Sequence, residues 1–93
     1  MVLASDSYYA SSKMEKDLKH NQEFLNFRKN FGQHLQSLRK DKGLSQEELA
    51  NRINLDRVSV GYLEQGIRSP KLRTLFLIAK VLGVPLKDLL DIK

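Results

Sequence analysis

No cysteine occurs anywhere in this chain, which excludes a disulfide framework and any thiolate metal site. Only two histidines are present, His20 and His34, and no glycine-rich phosphate loop accompanies them. A metal centre or a nucleophile–base pair therefore cannot be assembled from these residues, so neither catalysis nor a cofactor is expected. Proline is equally scarce: Pro70 and Pro85 are the only two, and both stand where a helix would begin. No stretch alternates between apolar and polar residues as a half-buried strand does. The longest apolar run, Leu75 to Ala79, stops at Lys80 and is far short of a membrane span. Met1 to Ala4 lack the basic start and apolar core of a signal peptide. These absences point to an all-α, cytoplasmic protein with no membrane partner.

What remains is a chain of 93 residues, long enough for one modest core. Its net charge of +5 is unevenly distributed. Residues 1–28 balance Lys13, Lys16, Lys19 and Arg28 against Asp6, Glu15, Asp17 and Glu23, so the whole excess lies in residues 29–93. A basic domain behind a neutral extension suggests an anionic partner, nucleic acid first. Two regions are expected, a leader and helical extension over 1–28 and a basic domain over 29–93, whose charge by itself fits a plain basic protein as well as a nucleic-acid binder.

Residues 1–12 show no helical or strand period and are expected to be a mobile leader. From Lys13 a helical pattern begins with Met14, Leu18 and Leu25 and strengthens through Phe24, Phe27, Phe31, Leu35 and Leu38, ending at Gly43. Ser45 stands three residues before Glu48, the capping-box spacing that starts a second helix at Gln46. Its buried face is Leu49, Ala50 and Ile53, and Asn54 can take the left-handed conformation that ends it. Asp56 then caps a third helix that buries Val60 and Leu63 and stops at Gly66. A fourth runs from about Lys71 to Leu82, with Leu72, Leu75, Phe76, Ile78, Ala79 and Leu82 inward. Pro85 opens a short fifth helix that buries Leu86, Leu89 and Leu90.

Between Ser45 and Gly66 the pattern is helix, short turn, helix, the helix-turn-helix arrangement. The outer face of the third helix holds Arg57, Val58, Gly61, Tyr62 and Gln65 where a solvated helix would carry Glu and Lys. In a major groove Arg57 can donate two parallel hydrogen bonds to O6 and N7 of a guanine, and Val58 can meet a thymine methyl. Tyr62 reaches a base edge or phosphate, and Gly61 lets the backbone approach. Arg57 could otherwise be a solvated arginine beside Asp56. Phosphates supply affinity: Gln46 heads helix two, whose free N–H groups suit an anion, while Arg68, Lys71 and Arg73 cluster around the start of helix four. Glu47 and Glu48 must turn away from DNA.

Three stretches, "LRKDKGLSQEELA", "LEQGIRSP" and "IAKVLGV", stand in one order and spacing within residues 31–90. In them the chain resembles the phage-repressor-like (Xre) helix-turn-helix family, shared by phage repressors, restriction-modification controllers and antitoxins. The resemblance implies a five-helix lambda-repressor-like domain, sequence-specific binding of double-stranded DNA, and a homodimer on an inverted-repeat operator. It also implies a phosphate contact for Gln46 and a structural ion pair between Arg39 and Glu64. Asn54 departs from the family's usual glycine, and residues 1–28 lie outside the family core.

Leu77 and Val81 of helix four lie roughly opposite Leu75 and Leu82, and something should cover them: a second copy of the chain or the extension's apolar stripe. Leu86, Leu89 and Ile92 are expected near the two-fold axis of the dimer. A protein-interaction module that retains the helix-turn-helix frame, such as an antitoxin, is the rival reading, and a second protein partner is compatible with either. Such a module should show a large apolar patch where Arg57, Gly61, Tyr62 and Gln65 stand.

Overall fold

The computed structural model describes residues 4–92, with side chains from Lys16 onward. Among these residues there are five helices and no strand: α1 (Ala4–Asp41), α2 (Gln46–Arg52), α3 (Arg57–Glu64), α4 (Leu72–Leu82) and α5 (Leu86–Leu89). None of the helices is long and apolar enough to cross a membrane.

The expected leader is helical from Ala4 onward, and only residues 1–3 of it lie outside the described residues. The reason is local. No glycine or proline occurs before Gly32, so nothing interrupts the backbone hydrogen-bond ladder, and a helix needs no apolar period to continue. At 38 residues α1 is about 57 Å long at the usual rise, and it accounts for the long dimension of a molecule measuring 60 × 25 × 19 Å. The helix crosses the expected boundary at residues 28 and 29 without a break.

The core sits at the C-terminal end of α1. Phe31 and Leu35 of α1, Leu49 of α2, Val60 of α3, Ile78 and Leu82 of α4 and Leu89 of α5 are all buried in one cluster. Each such apolar side chain contributes about 1.5–3 kcal/mol by leaving water. Buried Ala50 keeps the contact between α2 and α3 close, and Asn54 makes the turn with φ 61°. Leu55 N–H then donates to the Ala50 carbonyl at 2.9 Å.

Several expected contacts are redrawn by this packing. Leu72 is 74% exposed and Phe76 is also exposed, although both were expected inward. α4 packs on α2 and α5, which places its inner face on Ile78, Ala79 and Leu82 and turns Leu72 and Phe76 to the outside. Leu90 is exposed at the end of α5, while Leu89 is fully buried. Leu89 therefore cannot meet a second copy, because the single turn of α5 directs it into the core between α1 and α4. Leu77 and Val81 are half-buried against the same core, as are Leu86 and Ile92; the chain itself covers most of what was expected to need an outside partner.

Two glycines let α1 lie against the end of α3. A Cβ at Gly32 would collide with the carbonyl oxygen of Glu64 and stand 2.6 Å from that of Leu63. Gly66, with φ +73°, has the backbone of Lys29 at 2.6 Å from where its Cβ would be. Backbone atoms cannot yield as a flexible side chain does. Gly32→Ala should therefore lower stability by about 1–3 kcal/mol, seen as a lower urea midpoint; an unchanged midpoint would show that α1 and α3 are not this close.

Candidate nucleic-acid interface

α2 begins with a reciprocal cap. Ser45 Oγ accepts from the Glu48 N–H at 3.0 Å, and a Glu48 carboxylate oxygen accepts from the Ser45 N–H at the same distance. The hydrogen bonds from Ser45 hold the Glu48 carboxyl below its ordinary value. Its charge is thereby turned into the cap. α3 begins similarly, with Asp56 Oδ1 accepting from the Ser59 N–H at 2.7 Å. The Ser59 hydroxyl first and this backbone bond second lower the Asp56 pKa, with Arg68 adding a smaller attraction. Asp56 is thus ionised at neutral pH, as a cap at the positive end of a helix favours.

The three helices are joined by a buried polar network. Arg39 of α1 donates through Nε to Glu64 Oε2 at 2.6 Å and through Nη2 to Oε1 at 3.0 Å. Its Nη1 donates to the Leu44 carbonyl at 2.7 Å. Gln46 Nε2 at the head of α2 donates to Glu64 Oε1 at 3.0 Å. The Arg39 and Glu64 side chains are only 7% and 2% exposed, so two opposite charges satisfy each other out of water with parallel hydrogen bonds. This clamp fixes the end of α3 against both α1 and the start of α2.

With its inner side held, α3 presents Arg57 in its first turn, then Val58, Tyr62 and, just past its end, Gln65, all exposed. Gly61 does not share this open surface. It is buried, with the Gln46 amide 3.8 Å from where a Cβ would lie, because α2 starts directly over this turn of α3. The expectation that Gly61 reads bases is corrected accordingly. Gln46 also differs from a free phosphate ligand, since one of its amide hydrogens is committed to Glu64.

The basic residues divide. Arg68 lies over the Tyr62 ring at 4.9 Å and its Nη1 is 3.5 Å from Ser59 Oγ, an arrangement that steadies the phenol by cation–π attraction. Arg68 and Lys71 also border a notch of about 190 Å³ with Ser59 and Thr74. Arg73 stands beyond it, exposed on α4. The structure thus brings Tyr62, Arg68 and Lys71 together beside the helix-turn-helix, while Arg57 and Arg73 are exposed elsewhere on α3 and α4.

Residues 35–89 match the HTH_3 helix-turn-helix family. The chain belongs to that family. This helix-turn-helix chain is 42% identical over 67 residues to the control protein C.BamHI of Bacillus amyloliquefaciens, covering 71% of this chain and 83% of that one. It is 38% identical over 61 residues to the cryptic phage CTXphi transcriptional repressor RstR of Vibrio cholerae, covering 66% of this chain and about half, 55%, of the repressor. Among solved structures it is similar to the restriction-modification controller protein C.AhdI of Aeromonas hydrophila, with 41% identity, a TM-score of 0.66, and coverage of 71% of this chain and 94% of that one. Helix-turn-helix proteins of this kind are DNA-binding transcription regulators, and this one is not an enzyme.

Three contributors to the interface were not legible beforehand. Gly32 gave no signal, because a glycine inside a helical pattern does not announce which neighbour it admits. Arg28, assigned to the extension, donates through Nε to the Gly66 carbonyl at 2.7 Å and ties α1 to the end of α3. The link between Gln46 and Glu64 has a sequence separation of 18 and no local signature.

Glu64→Gln leaves the Arg39 guanidinium buried without a counter-charge. Stability should fall by about 3 kcal/mol, and a double-mutant cycle with Arg39→Met should recover a coupling energy of at least about 1 kcal/mol. A cycle with no coupling would remove the pair from the scaffold.

Proposed function

We propose that α3 enters the major groove of an operator and that the protein acts on it as a homodimer. The observation that carries this reading is the contrast between the two faces of α3: the inner one clamped by Arg39, Glu64 and Gln46, the outer one presenting Arg57, Val58 and Tyr62 to solvent. Arg57 at the start of α3 has the reach and the paired donors for a guanine, and Val58 the methyls for a neighbouring thymine. Arg68 and Lys71 grip phosphate beside the notch, Arg73 adds charge at its edge, and Gln46 keeps a second amide hydrogen and the N-terminal backbone of α2 for the phosphate chain.

A dimer matches the two-fold symmetry of duplex DNA, with α3 and its copy about 34 Å apart on an inverted repeat. Residues 29–93 form the DNA-binding domain in this reading, and residues 1–28 an extension to it that works in the cytoplasm with the rest. The relatives named as a repressor and as controllers support a role at promoters. An interaction module such as an antitoxin is less well supported, because the exposed side chains on α3 are mixed in character and form no broad apolar patch there.

Selection of bound sequences from a random duplex pool tests the assignment. Arg57→Ala should weaken the best site by about 1–3 kcal/mol and relax choice at one guanine per half-site; an unaltered motif and affinity would reject α3 as the reading element. Lys71→Ala should weaken all sequences alike and make the slope of log affinity against log salt shallower by roughly one unit. A slope identical to that of the parent protein would take Lys71 off the phosphate backbone.

A further inference from the structure

Tyr62 is the one aromatic side chain of α3, and it is exposed. A phenol on an open helix face can stand in more than one staggered rotamer, and a side chain that moves freely selects no base. Something has to choose its direction.

The loop after α3 does so. Gly66, with φ +73°, turns the chain back, and the Ile67 N–H donates to the carbonyl of Tyr62 itself at 3.0 Å, which satisfies a carbonyl left open by the end of the helix. Arg28 of α1 anchors the same loop by donating to the Gly66 carbonyl at 2.7 Å. Arg68 follows directly. Its guanidinium lies over the Tyr62 ring, 4.9 Å from the centroid, with Nη1 3.5 Å from Ser59 Oγ. Asp56 attracts it as well. Asp56, Ser59 and Tyr62 stand three residues apart and so share one edge of α3, and Arg68 runs along that edge.

The other side of Tyr62 is open. Val58, four residues earlier and 53% exposed, is its neighbour there by helical geometry. With Arg68 on the Ser59 side, the ring and the Val58 methyls form one apolar surface, suited to a thymine C5-methyl group rather than to a hydrogen-bonding base edge. Lys71 at the same notch has no ring beneath it among the described residues, as a cation that serves phosphate alone needs none.

We infer that Arg68 is a positioning residue for sequence choice: it stacks on Tyr62 and holds the phenol beside Val58, where the two meet a thymine methyl. The inference rests on the reading of α3 as the element in the major groove. A cation over an exposed ring favours the stacked arrangement by about two- to fivefold. Arg68 therefore acts on which sequence is preferred, and not only on how tightly DNA is held.

Competition binding by the full chain, with each base pair of the selected operator replaced in turn, tests it. Tyr62 and Arg68 are both exposed, so their variants should keep the melting temperature of the parent protein. Tyr62→Ala should reduce discrimination at one or two T·A pairs in each half-site. Replacing those thymines by uracil, which removes only the methyl group, should weaken the parent protein and leave Tyr62→Ala unaffected. Arg68→Ala should reduce discrimination at the same pairs by about two- to fivefold, and the double variant should lose no more there than Tyr62→Ala alone. Lys71→Ala should lower the affinity for every sequence by one factor. If Arg68→Ala behaves as Lys71→Ala does, with discrimination intact, Arg68 is a phosphate contact alone and the inference is overturned. Tyr62→Ala without effect on preference, while Arg57→Ala relaxes a guanine, would overturn it and leave α3 as the reading element. An unchanged preference in all three variants of Arg57, Tyr62 and Arg68 would overturn both.

Discussion

The Arg39 guanidinium is the point through which α1, α2 and α3 are held in one frame. Its three donors go to Glu64 Oε2, Glu64 Oε1 and the Leu44 carbonyl, and Glu64 in turn accepts from Gln46. Such a group is costly to bury alone and is tolerated because every charge and donor is matched. A matched network also admits few alternative geometries, so the angle at which α3 leaves the bundle is set by hydrogen-bond directions as well as by the packing of Val60 and Leu63. Gly32 and Gly66 complete the constraint, since they admit α1 close enough for Arg39 to reach Glu64.

The same network manages the electrostatics of a surface meant for an anion. The carboxylate of Glu64 is buried at the end of α3 and that of Glu48 stands in the first turn of α2. Glu64 is neutralised by Arg39, and Glu48 is drawn into hydrogen bonds with Ser45. Asp56 is spent on the cap of α3. The cations Arg57, Arg68 and Lys71 remain exposed, and Arg68 gives order to Tyr62 without losing its own access to solvent.

The helix boundaries were legible because their signals are local. Ser45 with Glu48, Asn54 in the turn, Asp56 ahead of α3, and the glycines after α1, α3 and α4 each act within a few residues, and the structure has a cap or a left-handed residue at each place. The apolar faces of α2 and α3 were legible for the same reason. Helix α4 was not, because its apolar residues run around more than half of its circumference and periodicity does not say which arc is covered; only the positions of α2 and α5 separate buried Ile78 and Leu82 from exposed Leu72 and Phe76. The extension was misread in its first turns because a search for apolar rhythm misses a helix that merely continues.

From its residues alone the protein was determined to be all-α, basic in its C-terminal two-thirds, and organised around a helix-turn-helix whose outer face carries Arg57 and Tyr62. Those properties follow from spacing, composition and short-range hydrogen bonding, which the chain carries with it in any conformation. The tertiary structure decided that Gly61 lies under Gln46, that Leu89 belongs to the core, that Arg28 is tied to Gly66, and that residues 16–24 of α1 are exposed. Each of these depends on residues far apart in the chain meeting at a particular distance, and distance between remote residues is a property of the packed whole.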